Sequence, residues 1–139
     1  MAYPDTSSPL AGWAPRMLSV LRIVAGFLFM LHGAQKLFNF PPGDNGGTVE
    51  LLSLMGFAGI LEFAGGLLIL FGLVTRPVAF LLAGEMAVAY FMAHFPKGPL
   101  PVQNGGDHTV LFCFIFLYLS VAGPGPWSLD AWRQRAIRR

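Results

Sequence analysis

The chain has a single cysteine and few charged residues. Its only cysteine is Cys113, inside an apolar run, so dithiol exchange between two cysteines of this chain is excluded. It has no C-x-x-C-H motif for haem attachment, no phosphate-binding loop and no nucleophile elbow, so ATP chemistry and serine hydrolysis find no support. Charged residues make up only 12% of the sequence, against roughly a quarter in soluble domains, which excludes an ordinary soluble enzyme.

Apolar residues take the place of the missing charge. They make up 55% of the 139 residues and gather in four runs separated by segments rich in proline and glycine. The runs are residues 17–38, 49–73, 77–95 and 109–122, and the first three have the length that a helix needs to cross the hydrocarbon core. The sequence therefore predicts an all-α fold, an integral membrane four-helix bundle.

The basic residues predict how the bundle is oriented. We expect a polar, proline-rich segment at 1–16, a transmembrane domain at 17–122 and a basic tail at 123–139, with no signal peptide. Arginine and lysine on the side of the termini outnumber those on the other side by six to two. Because cytoplasmic loops carry this excess, both termini are predicted to be cytoplasmic. The basic tail also accounts for the high isoelectric point as an orientation signal and a lipid contact, so no nucleic-acid partner is expected.

Two carboxylates near the middle of apolar runs are the main functional candidates. Glu62 and Glu85 lie about 16 Å and 13 Å deep, where an ionisable group costs several kcal/mol unless it faces protein, water or an opposite charge. Arg22, about 9 Å deep, shares its helix face with small residues, so the sequence predicts an ion pair of Arg22 with Glu62 or Glu85. Packing without any chemistry is the alternative role for both carboxylates.

A second polar layer is predicted near the opposite membrane face. It comprises His32, Lys36, His94, Asp107 and His108. In a regular helix His94 lies about 180° from Glu85, so the two can share a groove only if the helix loosens ahead of Pro96. That mismatch counts against haem ligation by His32 and His94. Adjacent Asp107 and His108 diverge by about 100°, and no metal site is predicted.

Five ordered motifs resemble those of a known family. They are LRIVAGFLFMLHGAQKLF at 21–38, LEFAGGLLILFGLVTRP at 61–77, Glu85 with His94, NGGD at 104–107 and GPGPWSLD at 123–130. Together they resemble the DoxX family of small four-helix membrane proteins, with Asp107 where the family usually has a glutamate. The resemblance implies a protein of a bacterial cytoplasmic (inner) membrane, similar to the membrane subunit of thiosulfate:quinone oxidoreductases.

A quinone is the cofactor that suits these residues best, since it needs an apolar slot, aromatic walls and proton-handling groups. We expect Glu62, Glu85 and His32 to handle protons, and His32, Phe29, Phe63 and Tyr90 to form the slot. The predicted function is a membrane subunit of a redox or quinone-linked complex, at most an oxidoreductase subunit. Its partners would be lipid and either other membrane subunits or further copies of the chain.

The alternative is a non-catalytic structural or assembly subunit. One feature of the structure separates the two functions. A cavity that opens to the bilayer beside Glu62 and Glu85 favours the first, whereas carboxylates sealed by Arg22 favour the second.

Overall fold

The computed structural model describes residues 9–43 and 46–138, and every regular element in these ranges is helical. The all-α bundle predicted from the sequence is thereby confirmed. One long helix, Thr75–Ala89, runs on through a π-helical turn, Tyr90–His94, and a 3-10 turn, Phe95–Lys97. In order, the elements are a 3-10 turn (Ala11–Trp13), α1 (Ala14–Phe38), α2 (Leu54–Phe71), α3 (Thr75–Ala89), α4 (Pro101–Asn104), α5 (Asp107–Ala122) and α6 (Leu129–Ile137).

Within the described ranges, three helical segments are long and apolar enough to cross a membrane. These are Ala11–Phe38, Leu54–Phe71 and Thr75–Lys97. The fourth helix of the bundle, α5, is apolar but has 16 residues and is therefore about 24 Å long. The first helix begins inside the predicted polar segment 1–16, of which residues 1–8 lie outside the described ranges.

The second helix begins later than its apolar run. Residues 49–53 were predicted to be helical, but Ser53 is the N-cap of α2 and its Oγ accepts a hydrogen bond from the Gly56 N–H at 3.0 Å. Val49 lies outside the helix, and its N–H donates instead to the Lys36 carbonyl at the end of α1, at 2.9 Å. A serine cap satisfies a free N–H of the first turn, which is why the helix starts there despite apolar residues on both sides.

Two antiparallel helix pairs make up the bundle. In the first pair the backbones of α1 and α2 approach at Gly26, where a Cβ atom would lie 2.5 Å from Leu70 N, and again at Gly33. In the second pair α5 packs along α3, and Cys113 Sγ donates to the Ala83 carbonyl at 3.3 Å. Small residues allow such close approach in a membrane, where packing and hydrogen bonds hold helices together.

Both ends of the described chain lie at one end of the bundle, here called the terminal end. The Trp127 N–H, just before α6, donates to Ser19 Oγ near the start of α1 at 3.2 Å. The other end, which carries the connecting residues 39–43, 46–53 and 98–106, is called the loop end. The apolar core packs the terminal half around Ile69, Ala79 and Leu119 and extends to Phe29 and Phe112, beside which a cavity opens toward the loop end. Which end faces the cytoplasm stays a prediction.

Asp130 of α6 caps a helix to which it is distant in sequence. Its carboxylate accepts hydrogen bonds from the N–H groups of Val74 and Thr75, each at 2.9 Å, at the start of α3. Burial by itself raises the pKa of Asp130, but the hydrogen bonds from Thr75 and Val74 and the charge of Arg133 together outweigh that effect, and the pKa is lowered overall. The cap therefore fixes α6 to the turn between α2 and α3.

Candidate functional site

A cavity of about 680 Å³ lies in the loop half of the bundle, between the two helix pairs. All four long helices contribute to its wall, which is mostly apolar. Its polar members are two carboxylates, a lysine, three histidines and a threonine. They are Lys36 and His32 of α1, Glu62 of α2, Glu85 of α3 with His94 of the π-helical turn, and His108 and Thr109 of α5.

A direct contact between α2 and α3 lies beside the cavity. Gly65 lets Leu82 pack on the α2 backbone, since a Cβ atom at that glycine would lie 2.7 Å from Leu82 Cδ2. Glu62 precedes Gly65 by three residues and Glu85 follows Leu82 by three. Because α2 and α3 are antiparallel, both carboxylates lie about 4.5 Å farther toward the loop end, on the side of each helix that forms the contact.

Glu62 forms an ion pair with Lys36. The distance from Lys36 Nζ to Glu62 Oε1 is 2.5 Å, and the glutamate side chain is 5% exposed against 25% for the lysine. Gly59 makes room for the lysine stem on the α2 surface, since a Cβ atom there would lie 3.1 Å from Lys36 Cβ. The sequence assigned Lys36 to the polar layer at the membrane face, but its head reaches back into the cavity and meets the carboxylate.

Three carboxylate oxygens of the cavity have no partner among the described residues. They are Glu62 Oε2 and both Oε1 and Oε2 of Glu85, and each atom is buried. A buried carboxylate without a donor or a cation is costly, so these oxygens need a proton, a cation or a donor from a ligand. The cavity thus contains unmatched polar groups beside apolar walls.

Arg22 lies elsewhere, and its predicted ion pair with Glu62 or Glu85 is wrong. The side chain is fully buried at the terminal end, where its guanidinium donates to four backbone carbonyls. Two belong to the last turn of α2, at 2.6 Å to Ile69 and 2.5 Å to Leu70, and two to the segment after α5, at 2.8 Å to Pro124 and 2.5 Å to Trp127.

The physical reason is that a helix end supplies acceptors as good as a carboxylate. The last four carbonyls of a helix have no partner inside the helix and carry partial negative charge. Arginine has five N–H donors in a planar fork, so it can serve several such carbonyls at once. Arg22 therefore joins α1, α2 and the segment before α6, and it leaves the carboxylates of the cavity unsealed.

The predicted polar layer is largely assembled as a histidine group at the loop end of the cavity. The rings of His32 and His108 stack at 6.0 Å between centroids, and His108 meets His94 edge to face at 5.6 Å. His32 and His108 are exposed, so they form the polar mouth of the cavity. Asp107 is close to this group, at 3.8 Å from His108 Nδ1, but does not line the cavity.

A π-helical turn brings His94 to the same cavity as Glu85. Over Tyr90–His94 the helix widens, and the Phe95 N–H donates to the Tyr90 carbonyl five residues earlier. Such a turn inserts one extra residue and shifts every later side chain around the helix axis. From the sequence, His94 and Glu85 can share a groove only if the helix loosens ahead of Pro96. The π-helical turn is that loosened segment.

Asn104 is a buried residue whose role sequence reasoning missed. Its Nδ2 donates to the Gly98 carbonyl at 2.7 Å and to the Tyr90 hydroxyl at 3.2 Å, while its Oδ1 accepts from the Gly106 N–H at 2.8 Å. Its carbonyl oxygen lies 3.2 Å from His94 Nδ1. One amide thus fixes the loop against the π-helical turn, and the signal for it was an asparagine directly before two glycines.

Two of the four residues predicted to form a quinone slot line the cavity. Phe29 and His32 do, whereas Phe63 and Tyr90 do not. Phe63 follows Glu62 by one position and so turns about 100° away, where its ring packs on Phe38 at 5.3 Å. The Tyr90 hydroxyl is used by the loop, donating to the Pro99 carbonyl at 3.2 Å.

The described residues form neither a cluster of metal ligands nor a pair of cysteines. In residues 9–43 and 46–138 no group of three or more His, Cys, Asp or Glu side chains has the geometry to hold a metal ion. The rings of His32, His94 and His108 instead contact one another, and His32 meets Phe112 edge to face at 6.0 Å between centroids. The polar side chains that line the apolar cavity can form hydrogen bonds and exchange protons.

Comparison with known proteins agrees with this architecture. The sequence model of the family described as DoxX matches residues 17–95. An uncharacterized protein of Haemophilus influenzae is 41% identical over 127 residues, covering 87% of this chain and 93% of that protein. The inner membrane protein YqjF of Escherichia coli is 33% identical, covering 80% of this chain and 87% of its own length.

A third relative carries a name that suggests an activity. CatD of Bacillus subtilis, whose name suggests an oxidoreductase, is 28% identical over 117 residues, covering 80% of this chain and 82% of that protein. No solved structure matches the chain.

Proposed function

The chain belongs to the DoxX family of membrane proteins, and we propose that it is a membrane subunit of a redox complex that binds a quinone in the cavity between its helix pairs. The observation that carries the proposal is the pair of carboxylates in an apolar cavity, with three buried oxygens that lack partners. The name of CatD in Bacillus subtilis points the same way.

The residues of the cavity fit a quinone head group. The volume of about 680 Å³ lies within the range of roughly 300–1,000 Å³ that small-molecule sites occupy. Phe29 and Phe112 supply aromatic wall, and Glu62 and Glu85 supply polar atoms on two different helices. A site of this kind, mostly apolar with a few convergent polar groups, suits a flat ring that carries two oxygens.

A bound quinone supplies two-electron redox chemistry that is coupled to two protons. In the proposed mechanism the electrons come from a redox group of a partner subunit, and this chain provides the proton side. Glu85 has no hydrogen-bond partner in residues 9–43 and 46–138, so it is the group that can hold and release a proton. Lys36 holds Glu62 in place by their ion pair, and His32 with His108 links the carboxylates to the aqueous mouth.

The position of Arg22 supports this function over that of a purely structural subunit. A structural role would suit carboxylates that are sealed by Arg22, but that arginine binds carbonyls at the other end of the bundle. By analogy with the inner membrane protein YqjF, we place the chain in a bacterial inner membrane. With cytoplasmic termini the histidine mouth would face the periplasm, and a reporter active only outside the cytoplasm should stay silent when fused to the carboxyl terminus.

Conversion of the carboxylates to amides tests the proposed function. Glu62→Gln and Glu85→Gln keep the shape of each side chain but cannot ionise, so the double variant should fold normally and lose quinone-linked electron transfer in the purified complex. Glu50→Gln, on the exposed connection before α2, is the matched control and should behave as wild type. Normal turnover in the double variant would eliminate the proton-handling role and favour the structural subunit.

A further inference from the structure

The cavity has a second opening on the flank of the bundle. The contact of Gly65 with Leu82 joins α2 to α3, and farther toward the loop end residues of both helices line the cavity. Phe57 of α2 and Leu81 and Val88 of α3 line the cavity and are also exposed on the outside of the bundle. Because these side chains belong to both surfaces, the gap between the helices connects the cavity with the lipid.

Gly84 marks the open part of this gap. It lines the cavity, it is exposed, and a Cβ atom built on it would meet no atom within 4 Å. It lies in a regular stretch of α3, directly before Glu85 and between Leu81 and Val88 on the same side of the helix. The absent side chain therefore leaves free space beside the carboxylate, and no packing requirement accounts for a glycine there.

The two openings of the cavity differ in chemistry. The mouth at the loop end is polar, because the exposed rings of His32 and His108 form it. The flank opening is bordered by apolar side chains only. Between them lies Glu62, 5% exposed in its side chain, with Oε2 lacking a partner. A ligand that matches this arrangement has a polar head for the interior and an apolar tail for the flank.

We propose that the gap between α2 and α3 is a lateral portal through which the isoprenoid tail of a quinone extends into the bilayer, and that Gly84 is the residue that admits the tail. This inference rests on the proposed function, since it takes the head group to lie at Glu62 and Glu85. Gly84 acts on specificity only. A larger side chain at this position excludes a tailed quinone and still admits the same head group without a tail through the histidine mouth.

Site-resolved labelling of Glu85 by two carbodiimides tests the portal without any quinone. The lipid-soluble dicyclohexylcarbodiimide reaches carboxyls from the bilayer, and a water-soluble ethyl(dimethylaminopropyl)carbodiimide reaches them through the aqueous mouth. Each adds to the protonated carboxyl group to give an O-acylisourea, which rearranges to a stable N-acylurea. Peptide mass spectrometry of the reconstituted protein gives the rate at which the N-acylurea forms at Glu85. Gly84→Leu should slow the lipid-soluble reagent by about tenfold and leave the water-soluble one unchanged.

Two further variants control the experiment. Ala64→Leu places the same side chain on the exposed side of α2, away from the cavity, and should react as wild type with both reagents. Gly84→Ala, which adds a single methyl group in open space, should give a smaller slowing than the leucine. Equal slowing of both reagents, no slowing in Gly84→Leu, or no lipid-soluble labelling in wild type would each overturn the portal.

Protection by quinones separates the portal from the proposed function. A benzoquinone with a decyl tail and the same ring without the tail should both protect Glu85 of the wild type from labelling. In Gly84→Leu only the tailless ring should still protect. Equal protection by both rings in that variant would overturn the role of Gly84. If neither ring protects the wild type, the proposed quinone is contradicted, and the carbodiimide rates alone then test whether the gap is a portal.

Discussion

Replacing Arg22 should weaken the whole terminal end of the bundle, because one side chain joins three segments there. Its guanidinium donates to Ile69 and Leu70 at the end of α2 and to Pro124 and Trp127 before α6. Arg22→Met keeps a similar apolar stem but leaves all four carbonyls without these donors. Arg22→Lys keeps the charge with three donors on one atom, so it cannot reproduce the planar fork.

The size of the effect follows from those four hydrogen bonds. Each hydrogen bond to a charged group contributes about 1.5–3 kcal/mol, and removal of one partner from a buried charged arrangement costs about 3–5 kcal/mol in measured cases. The simple sum of four bonds overstates the loss, since the variant no longer buries a guanidinium. We therefore expect Arg22→Met to lower the free energy of unfolding by about 3–5 kcal/mol, and Arg22→Lys by roughly half of that.

The measurement is unfolding of the purified protein in mixed micelles with rising dodecyl sulfate, followed by circular dichroism. Arg16→Met is the matched control, because Arg16 is exposed and its guanidinium lies over the Trp13 ring at 5.1 Å, a contact that contributes about 0.5–1 kcal/mol. The account of Arg22 fails if Arg22→Met and Arg16→Met unfold at the same dodecyl sulfate fraction.

Three further outcomes follow from individual contacts. Lys36→Met should destabilise the fold by about 2–4 kcal/mol by leaving Glu62 unpaired, and adding Glu62→Gln should restore most of the loss; a double variant no more stable than the single one contradicts the ion pair. Gly33→Leu should prevent normal folding by forcing α1 from α2, as judged by circular dichroism, whereas Gly84→Leu should fold. The lowered pKa of Asp130 stabilises the fold above its unfolded value of about 3.9, and this stability should disappear as the pH falls through the lower folded pKa; Asp130→Asn should remove that dependence from pH-resolved unfolding.

The sequence predicted the fold well because membrane helices are read from long apolar runs. Its errors lie at helix ends, where single side chains decide. Ser53 starts α2 by capping it inside an apolar stretch, and neighbouring apolar residues conceal that signal. Asp130 caps α3 from far along the chain, a contact that no local pattern contains.

The residues of the site were predicted in part, and the errors concern the groups with which Arg22 and Lys36 form hydrogen bonds. Depth and helical phase selected Glu62, Glu85 and His32, and depth alone selected His94; all four line one cavity. Depth alone cannot tell a carbonyl acceptor from a carboxylate, so Arg22 was matched to the wrong partners. Because long side chains reach along the membrane normal, lysine and glutamate can pair across a difference in depth that helical rise alone does not reveal.

The central claim is that the cavity beside Glu62 and Glu85 holds a quinone, and native mass spectrometry of the protein purified in mild detergent tests it most directly. The account predicts that a quinone co-purifies with the wild type and is lost from the Glu62→Gln, Glu85→Gln double variant, while the folded double variant elutes normally. A wild type that carries only phospholipid, or a quinone retained equally by the double variant, would contradict the claim.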